Sequence, residues 1–153
     1  MSPHYFILIL VFATLGKTKN TTLMNHVKML FLSLLKNDIT VQKMIYTLSE
    51  KNVSDYLKQE DITAYQAYCC AALAKESKRT LQKIQYIKEY NTLIQQSLYI
   101  DKECLTARII RFLVEKNLTN VKFTSHQDED RQFLYEHSSD DEDYKELIEK
   151  MLK

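Results

Sequence analysis

The sequence predicts an all-α fold of antiparallel helix hairpins, and three observations support this prediction. The 153-residue chain has one glycine and one proline, Gly16 and Pro3, and neither residue type occurs from Lys17 onward. Apolar residues recur at helical spacing in almost every segment, and no pair of segments has the alternation of paired strands. Sheet proteins need glycine at tight hairpins, and phosphate-binding loops need it for close backbone approach. A sheet fold and a Walker-type or Rossmann-type nucleotide site are therefore disfavoured.

Length and charge further restrict the class of protein. With 45% apolar and 27% charged residues, the chain has the composition and size of one globular domain. Its net charge of +1 argues against a nucleic-acid partner, because such proteins neutralise phosphates with an excess of Lys and Arg. We expect a protein or peptide partner, with an oligomeric helical assembly as an alternative.

The first sixteen residues resemble a leader. Tyr5 to Leu15 form an apolar run without a charged side chain, and small residues precede Lys17. The run is too short to span a bilayer, which takes about 20 helical residues, but it has the length of a signal-peptide core. We expect a signal peptide over residues 1–16, one helical domain over residues 17–153, and export to the periplasm or the medium. A buried N-terminal segment in a cytoplasmic protein is the alternative.

The next segments predict two helices and a break. Thr22–Lys36 has apolar residues at helical spacing and ends at the poor helix formers Asn37 and Asp38. Thr40 is the expected cap of a second helix, and Asn52–Lys58 is a break with one short turn. The apolar stripe of the second helix is Val41, Met44, Ile45 and Leu48.

A long helix hairpin follows. Its first helix runs from Ile62 to about Lys75 and is rich in alanine, which lets a neighbouring helix approach closely. Its second helix spans Leu81–Leu98. The expected buried stripe of that second helix is Ile84, Ile87, Tyr90 or Asn91, Ile94 and Leu98, widened by Leu81, Tyr86 and Leu93.

The helix predicted over Lys102–Lys116 is apolar over most of its circumference, so we expect it to be the central helix. Asp101 is its expected N-cap, and Ile109 and Phe112 are expected among the most buried residues.

Two shorter helices complete the chain. Capping boxes at Ser125–Asp128 and Ser139–Glu142 predict their starts. The apolar residues of the last helix are Tyr144, Leu147, Ile148, Met151 and Leu152.

Helix hairpins of about 35 residues are the unit of tetratricopeptide repeats, and Ile62–Ile100 and Lys102–His137 approach that length. The hinge at Tyr99–Lys102 resembles the family's Leu-Asp-Pro punctuation, with Lys102 in place of proline. Residues at the family's packing positions are Tyr65, Tyr68, Cys69 and Ala72 in the first helix, and Ile94 and Ser97 in the second. The resemblance implies a short tetratricopeptide-like superhelix whose concave surface binds a peptide or a partner protein.

A second resemblance is to small exported proteins of the Bacteroidota that have a tetratricopeptide-like hairpin and a closing acidic helix. It rests on residues 85–89, 93–101 and 107–113, and on the acidic helix start at residues 128–133. This resemblance implies export and no particular catalytic residue.

The three cysteines, Cys69, Cys70 and Cys104, are too few for a disulfide framework and have no CxxC spacing. We expect them to be small core residues rather than redox or metal-binding thiols. Cys104 lies at a predicted helix start, where the dipole would lower a thiol pKa, but its place beside a packed hinge favours burial.

An alternative function is a small helical metal-dependent enzyme or cation-binding factor that uses the acidic C-terminal region. His126 and Asp130, four residues apart, could ligate one edge of a metal, with the carboxylates of residues 140–143 nearby. A catalytic zinc needs three protein ligands, and a calcium loop needs a glycine that this region lacks. Acidic residues at helix starts are more simply explained by the helix dipole.

We therefore expect a non-enzymatic, all-α interaction or scaffold protein of the tetratricopeptide-like class. No catalytic residue, cofactor-binding residue, metal ligand or cofactor is assigned.

Overall fold

The computed structural model describes residues 22–118 and 126–153, and these residues form helices and turns without any strand. The prediction of an all-α fold is confirmed. The helices are α1 (22–35), α2 (Val41–Leu48), α3 (Gln59–Glu76), α4 (Thr80–Ile100), α5 (Leu105–Asn117), α6 (Gln127–Glu136) and α7 (Glu142–Leu152).

The chain divides into two compact units, one ending at Leu57 and one beginning at Lys58. The predicted leader lies outside the described residues. The prediction of one domain over residues 17–153 stays a prediction, because its boundary with the leader lies there too.

In the first unit, α1 ends as its sequence predicts. Asn37 adopts a left-handed backbone conformation with φ of 62°. The amides of Asn37 and Asp38 donate to the carbonyls of Leu34 and Ser33, at 3.1 and 2.9 Å. This pattern is a Schellman motif, in which asparagine tolerates the left-handed position that glycine usually occupies.

The second helix of this unit buries Val41, Met44 and Leu48, whereas Ile45 is exposed. Thr40 occupies the N-cap position, but its side chain makes no capping hydrogen bond. The single turn predicted in the following break is a 3-10 helix, Val53–Asp55.

In the second unit, α3 and α4 form the predicted antiparallel hairpin, and α5 lies mainly against α3. Helix α6 packs on α5, and α7 is linked to α3 through a hydrogen bond between the hydroxyls of Tyr65 and Tyr144. The tetratricopeptide-like stacking of hairpins stays a prediction.

The central position predicted for α5 is confirmed by its contacts with α3, α4 and α6. Ile109 and Phe112 are completely buried, as predicted. The flank that carries Ala107, Ile110 and Val114 is buried as well. A helix enclosed on most of its circumference needs apolar residues on more than one stripe, and the sequence of α5 supplies them.

The start of α5 differs from the prediction. The helix begins at Leu105, and Cys104, not Asp101, occupies the N-cap position. Asp101 ends α4 in an extended conformation, and its Oδ1 accepts a hydrogen bond of 2.9 Å from the amide of Glu103. Asp101 therefore forms a local turn between the helices, a conformation that aspartate favours as readily as a helix cap.

The predicted start of α7 is also wrong by two residues. Asp141, not Ser139, is its N-cap, and the Asp141 side chain accepts a hydrogen bond of 3.1 Å from the amide of Asp143. At α6, Ser125 of the predicted capping box lies outside the described residues, and His126 occupies the N-cap position without a side-chain capping bond.

Candidate interaction surface

Helix α4 is exposed on all sides over residues 80–85, and from Tyr86 onward it turns one side to its own unit and leaves the other side exposed. Its buried side chains are Tyr90, Ile94 and Ser97. The Ser97 hydroxyl donates a hydrogen bond of 2.8 Å to the carbonyl of Glu60, which ties the end of α4 to the start of α3. The opposite side is called the outer face of α4 here and consists of Leu81, Ile84, Gln85, Lys88, Thr92, Gln95 and Tyr99.

The outer face carries large apolar and aromatic side chains in water. Leu81 is 84% exposed and Tyr99 is 88% exposed, at opposite ends of the helix. Ile84 is 48% exposed, and Ile100 beside the hinge is 45% exposed. Single exposed apolar residues are ordinary on soluble proteins, but several on one helix face indicate a contact surface.

The same face has few charges. From Tyr90 to Ile100 the helix has no charged residue, and the exposed positions there are two glutamines, a threonine, a tyrosine and Ile100. Lys88 is the one charged member of the outer face. Depletion of charge with enrichment of tyrosine is the compositional signature of the centre of a protein interface.

The predicted stripe of α4 is confirmed in part. Tyr90 and Ile94 are buried, and Ile87 and Leu98 are half-buried. Ile84, predicted to be buried, is exposed, and Leu81, predicted to widen the stripe, is almost entirely exposed. Both lie in the first turns of the helix, where residues 80–85 are all exposed. Of the residues at tetratricopeptide packing positions, Tyr65, Cys69, Ile94 and Ser97 are buried, whereas Tyr68 and Ala72 are half-buried.

A second group of chemically notable side chains lies inside the unit, where α3, α5 and α7 meet. The half-buried Asp61 carboxylate accepts a weak hydrogen bond from the Cys104 thiol at 3.7 Å and another from Thr106. Burial raises the pKa of Asp61 and the neighbouring Glu60 raises it further, while its hydrogen bonds and Lys58 oppose the rise.

Two tyrosines close this group. Tyr65 and Tyr144 are buried, and burial is the main cause that raises the pKa of each hydroxyl. A raised tyrosine pKa keeps each hydroxyl protonated, so that neither acts as a base, and in the bond between them one hydroxyl donates and the other accepts. The arrangement is a satisfied polar network inside the fold.

The cysteines are buried and free, as predicted for core residues. Burial raises the pKa of Cys69 to about 12, that of Cys70 to about 11 and that of Cys104 to about 12. The nucleophile in cysteine chemistry is the thiolate, which is scarce at neutral pH for thiols of this kind. The helix start at Cys104 does not outweigh burial and the nearby Asp61 charge.

His126 and Asp130, which the sequence suggested as possible metal ligands, bind other protein groups instead. Asp130 is fully buried and accepts two hydrogen bonds from Arg111, from Nε at 2.7 Å and from Nη2 at 2.6 Å. Arg108 binds the same carboxylate at 2.9 Å and also pairs with Glu129. His126 instead contacts Glu115, with its Nδ1 2.8 Å from Oε1 and its amide 2.7 Å from Oε2.

The tail carboxylates do not converge on a common point either. Asp140 pairs with His137 at 2.6 Å, and Asp141 caps α7. Within residues 22–118 and 126–153 there is no group of three or more His, Cys, Asp or Glu side chains placed to hold a metal ion. The same residues contain no helix with the length and apolar character needed to cross a membrane.

One shallow hollow of about 300 Å³ lies between α6 and the end of α7. Tyr135, 76% exposed, contributes to its lining, and Arg131 donates a hydrogen bond of 3.3 Å from Nη1 to the carbonyl of Leu152. Asp128 and Gln132 complete its lining, and Tyr135 supplies an exposed tyrosine outside α4 for comparison with Tyr99.

Comparison of the chain with protein families, with curated proteins and with solved structures found no match.

Sequence patterns alone did not identify the outer face of α4 as exposed. The only available signal was the run from Tyr90 to Ile100, which lacks charge on a helix expected to face solvent on one side. Sequence patterns also did not indicate the ion pairs of Arg108 and Arg111 with Asp130, for which they suggested a metal edge or the helix dipole.

Proposed function

We propose that the protein is a non-enzymatic interaction or scaffold module of the tetratricopeptide-like class, and that it is exported. The observation that carries this proposal is the outer face of α4, where Leu81 and Tyr99 are almost fully exposed on a face with a single charge. Binding a protein or peptide there would remove apolar and aromatic area from water, at about 25 cal/mol per Å² of apolar surface.

The internal chemistry supports a binding role over catalysis. The buried thiols and tyrosines have raised pKa values, so they are held in their neutral forms. The buried Asp130 carboxylate is neutralised by Arg111 and Arg108. These groups fix α5, α6 and α7 in place, and a rigid scaffold is what a binding face requires.

The test is affinity capture with the purified chain as bait in an extract of the cells that produce it. Leu81→Glu and Tyr99→Glu each place a charge on the outer face, whereas Tyr135→Glu places the same charge on an equally exposed tyrosine of α6. We expect proteins that the wild type and Tyr135→Glu retain to be lost from both outer-face variants, because an unpaired charge in a desolvated contact is strongly unfavourable.

Retention of the same proteins by all four baits would contradict the assignment of the outer face. Circular dichroism of each variant checks that it is folded, and fully exposed positions on a helix should accept glutamate with a change in stability of about 0.5 kcal/mol or less.

The export part of the proposal has its own test. Mass spectrometry of the N-terminus of the protein purified from its native source should find Lys17 as the first residue, because cleavage after small residues removes the leader. A mature protein that retains Met1 would contradict cleaved export without affecting the proposed binding face.

A further inference from the structure

The outer face of α4 has the pattern of a surface that binds itself. We propose that it packs in antiparallel fashion against the same face of a second copy of this chain. This inference rests on the proposed function, since it names the partner of that face.

The apolar side chains set the register of such a pair. Leu81 and Tyr99 lie on the same side of α4, five turns apart, which corresponds to about 27 Å. When two copies of α4 run antiparallel and their outer faces meet midway between Lys88 and Thr92, Leu81 of each copy lies opposite Tyr99 of the other. Both of the most exposed apolar side chains of the helix, at 84% and 88%, are then covered at once.

The middle of the face is compatible with this register. Gln85 lies opposite Gln95 of the second copy, and Lys88 lies opposite Thr92. Glu89, on the flank of the face, comes within one helical turn of Lys88 of the second copy, a distance that side chains of this length bridge. Each copy thus brings one cation and one anion to the centre, so the paired faces are neutral there.

A parallel pair would place Lys88 of one copy against Lys88 of the other, whereas the antiparallel pair places Lys88 against Thr92. Antiparallel packing also sets the helix dipoles in the favourable sense.

An anionic membrane surface is a different occupant for a face that has Lys88 on it and basic residues at one end. The pattern favours it less, because no cation lies on the outer face between Thr92 and Tyr99, where a membrane-bound helix would also need one. An unrelated protein is the third occupant. Both enter the experiment as outcomes.

The first measurement is sedimentation velocity of the purified chain over a concentration series reaching about 1 mM, the weak end of useful affinities. We expect a species of twice the chain mass that grows with concentration. Leu81→Glu and Tyr99→Glu should lower the association constant at least about tenfold, and Tyr135→Glu should leave it unchanged within error.

The second measurement tests the register. Single-cysteine replacements Leu81→Cys and Tyr99→Cys are mixed under mild oxidation, with the native cysteines buried and therefore poorly reactive. Antiparallel packing should join one variant to the other, while neither variant alone should form a linked dimer, because like positions are about 27 Å apart.

A single-chain mass up to about 1 mM would overturn the inference, and so would efficient linking of Leu81→Cys to itself. Chain that stays monomeric but floats with vesicles of anionic lipid would identify the membrane as the occupant. A monomer whose outer face still captures another protein in the affinity experiment would leave the proposed function standing while this inference fails. Loss of that capture as well, with folded variants, would remove both.

Discussion

At the residue scale, the carboxylate of Asp130 is completely buried and forms ion pairs with Arg111 and Arg108. Such pairs seldom add stability over apolar residues of the same shape, but removing one member leaves an uncompensated charge. The ion pairs join α5 to α6, so their main role is to fix which part of α6 contacts which part of α5.

Asp130→Ala should therefore lower the free energy of unfolding by about 3–5 kcal/mol, because the buried Arg111 loses both hydrogen bonds to Asp130 and keeps only the 3.4 Å contact with Glu129. Chemical denaturation provides the measurement. The adjacent Glu129→Ala is the control: Glu129 is mostly exposed, so its loss should cost about 0–1 kcal/mol. Equal losses in the two variants would contradict the assignment of a buried ion pair.

Phe112 tests the central place of α5. Phe112→Ala should cost about 3–5 kcal/mol, since a fully buried phenylalanine is replaced by a cavity. The neighbouring Leu113→Ala, at a half-buried position, should cost less. A loss below about 1 kcal/mol for Phe112→Ala would show that α5 is not enclosed as the structure has it.

Asp61 makes stability depend on pH. Its folded pKa is raised above the unfolded value of 3.8, mainly by burial. The folded protein thus holds the proton more tightly, and the resulting stabilisation is present below pH 3.8 and is lost as pH rises through the folded pKa. Urea denaturation at several pH values across this window measures the free energy of unfolding. The loss of stability as pH rises should be smaller in Asp61→Asn than in the exposed control Asp38→Asn. Identical pH profiles would contradict the environment described for Asp61.

At the element scale, the Tyr65–Tyr144 hydrogen bond links α7 to α3. Replacing either tyrosine with phenylalanine should cost about 1–3 kcal/mol, because the remaining buried hydroxyl loses a partner. The double variant should lose less stability than the two single variants together, because no buried hydroxyl is then left without its tyrosine partner. Strictly additive losses in a thermodynamic cycle would show that the two hydroxyls do not interact.

The sequence predicts which segments form helices, because helix formation depends on local spacing and composition. The end of α1 at Asn37 and the enclosure of α5 follow from residues within a few turns of each other. Helix starts were less predictable, because Asp101 and Asp141 compete with neighbouring polar residues for the same amides and small differences in backbone angle decide between them.

Long-range contacts explain the rest of the difference. The orientation of α4 depends on Ser97 bonding the carbonyl of Glu60, a residue of the preceding helix, and no local pattern specifies that bond. Likewise, Asp130 meets Arg111 across the segment that joins α5 to α6. The candidate interaction surface depends on which side of α4 meets α3, and so it emerged only from the structure.

At the scale of the whole molecule, the two units differ in the structural features that they contain. The second unit, from Lys58 onward, contains the buried polar network, the ion pairs and the outer face of α4. Among its described buried side chains the Tyr90 hydroxyl lacks a hydrogen-bond partner, and its most exposed apolar side chains are Leu81 and Tyr99 of α4, followed by Tyr135 of α6. A protein built in this way is suited to assembly, because the contact surface is held by a rigid interior and needs no rearrangement to bind.

Hydroxyl-radical footprinting tests the central claim most directly, because it reads side-chain exposure without changing the chain. Tyr99 and Tyr135 are almost equally exposed in the isolated chain, at 88% and 76%, so Tyr135 serves as the internal reference for the oxidation of Tyr99. The account predicts that oxidation of Tyr99 falls several-fold in native extract or at high protein concentration relative to dilute protein, while that of Tyr135 is unchanged. Equal reactivity of Tyr99 and Tyr135 under all three conditions would contradict a binding role for the outer face of α4.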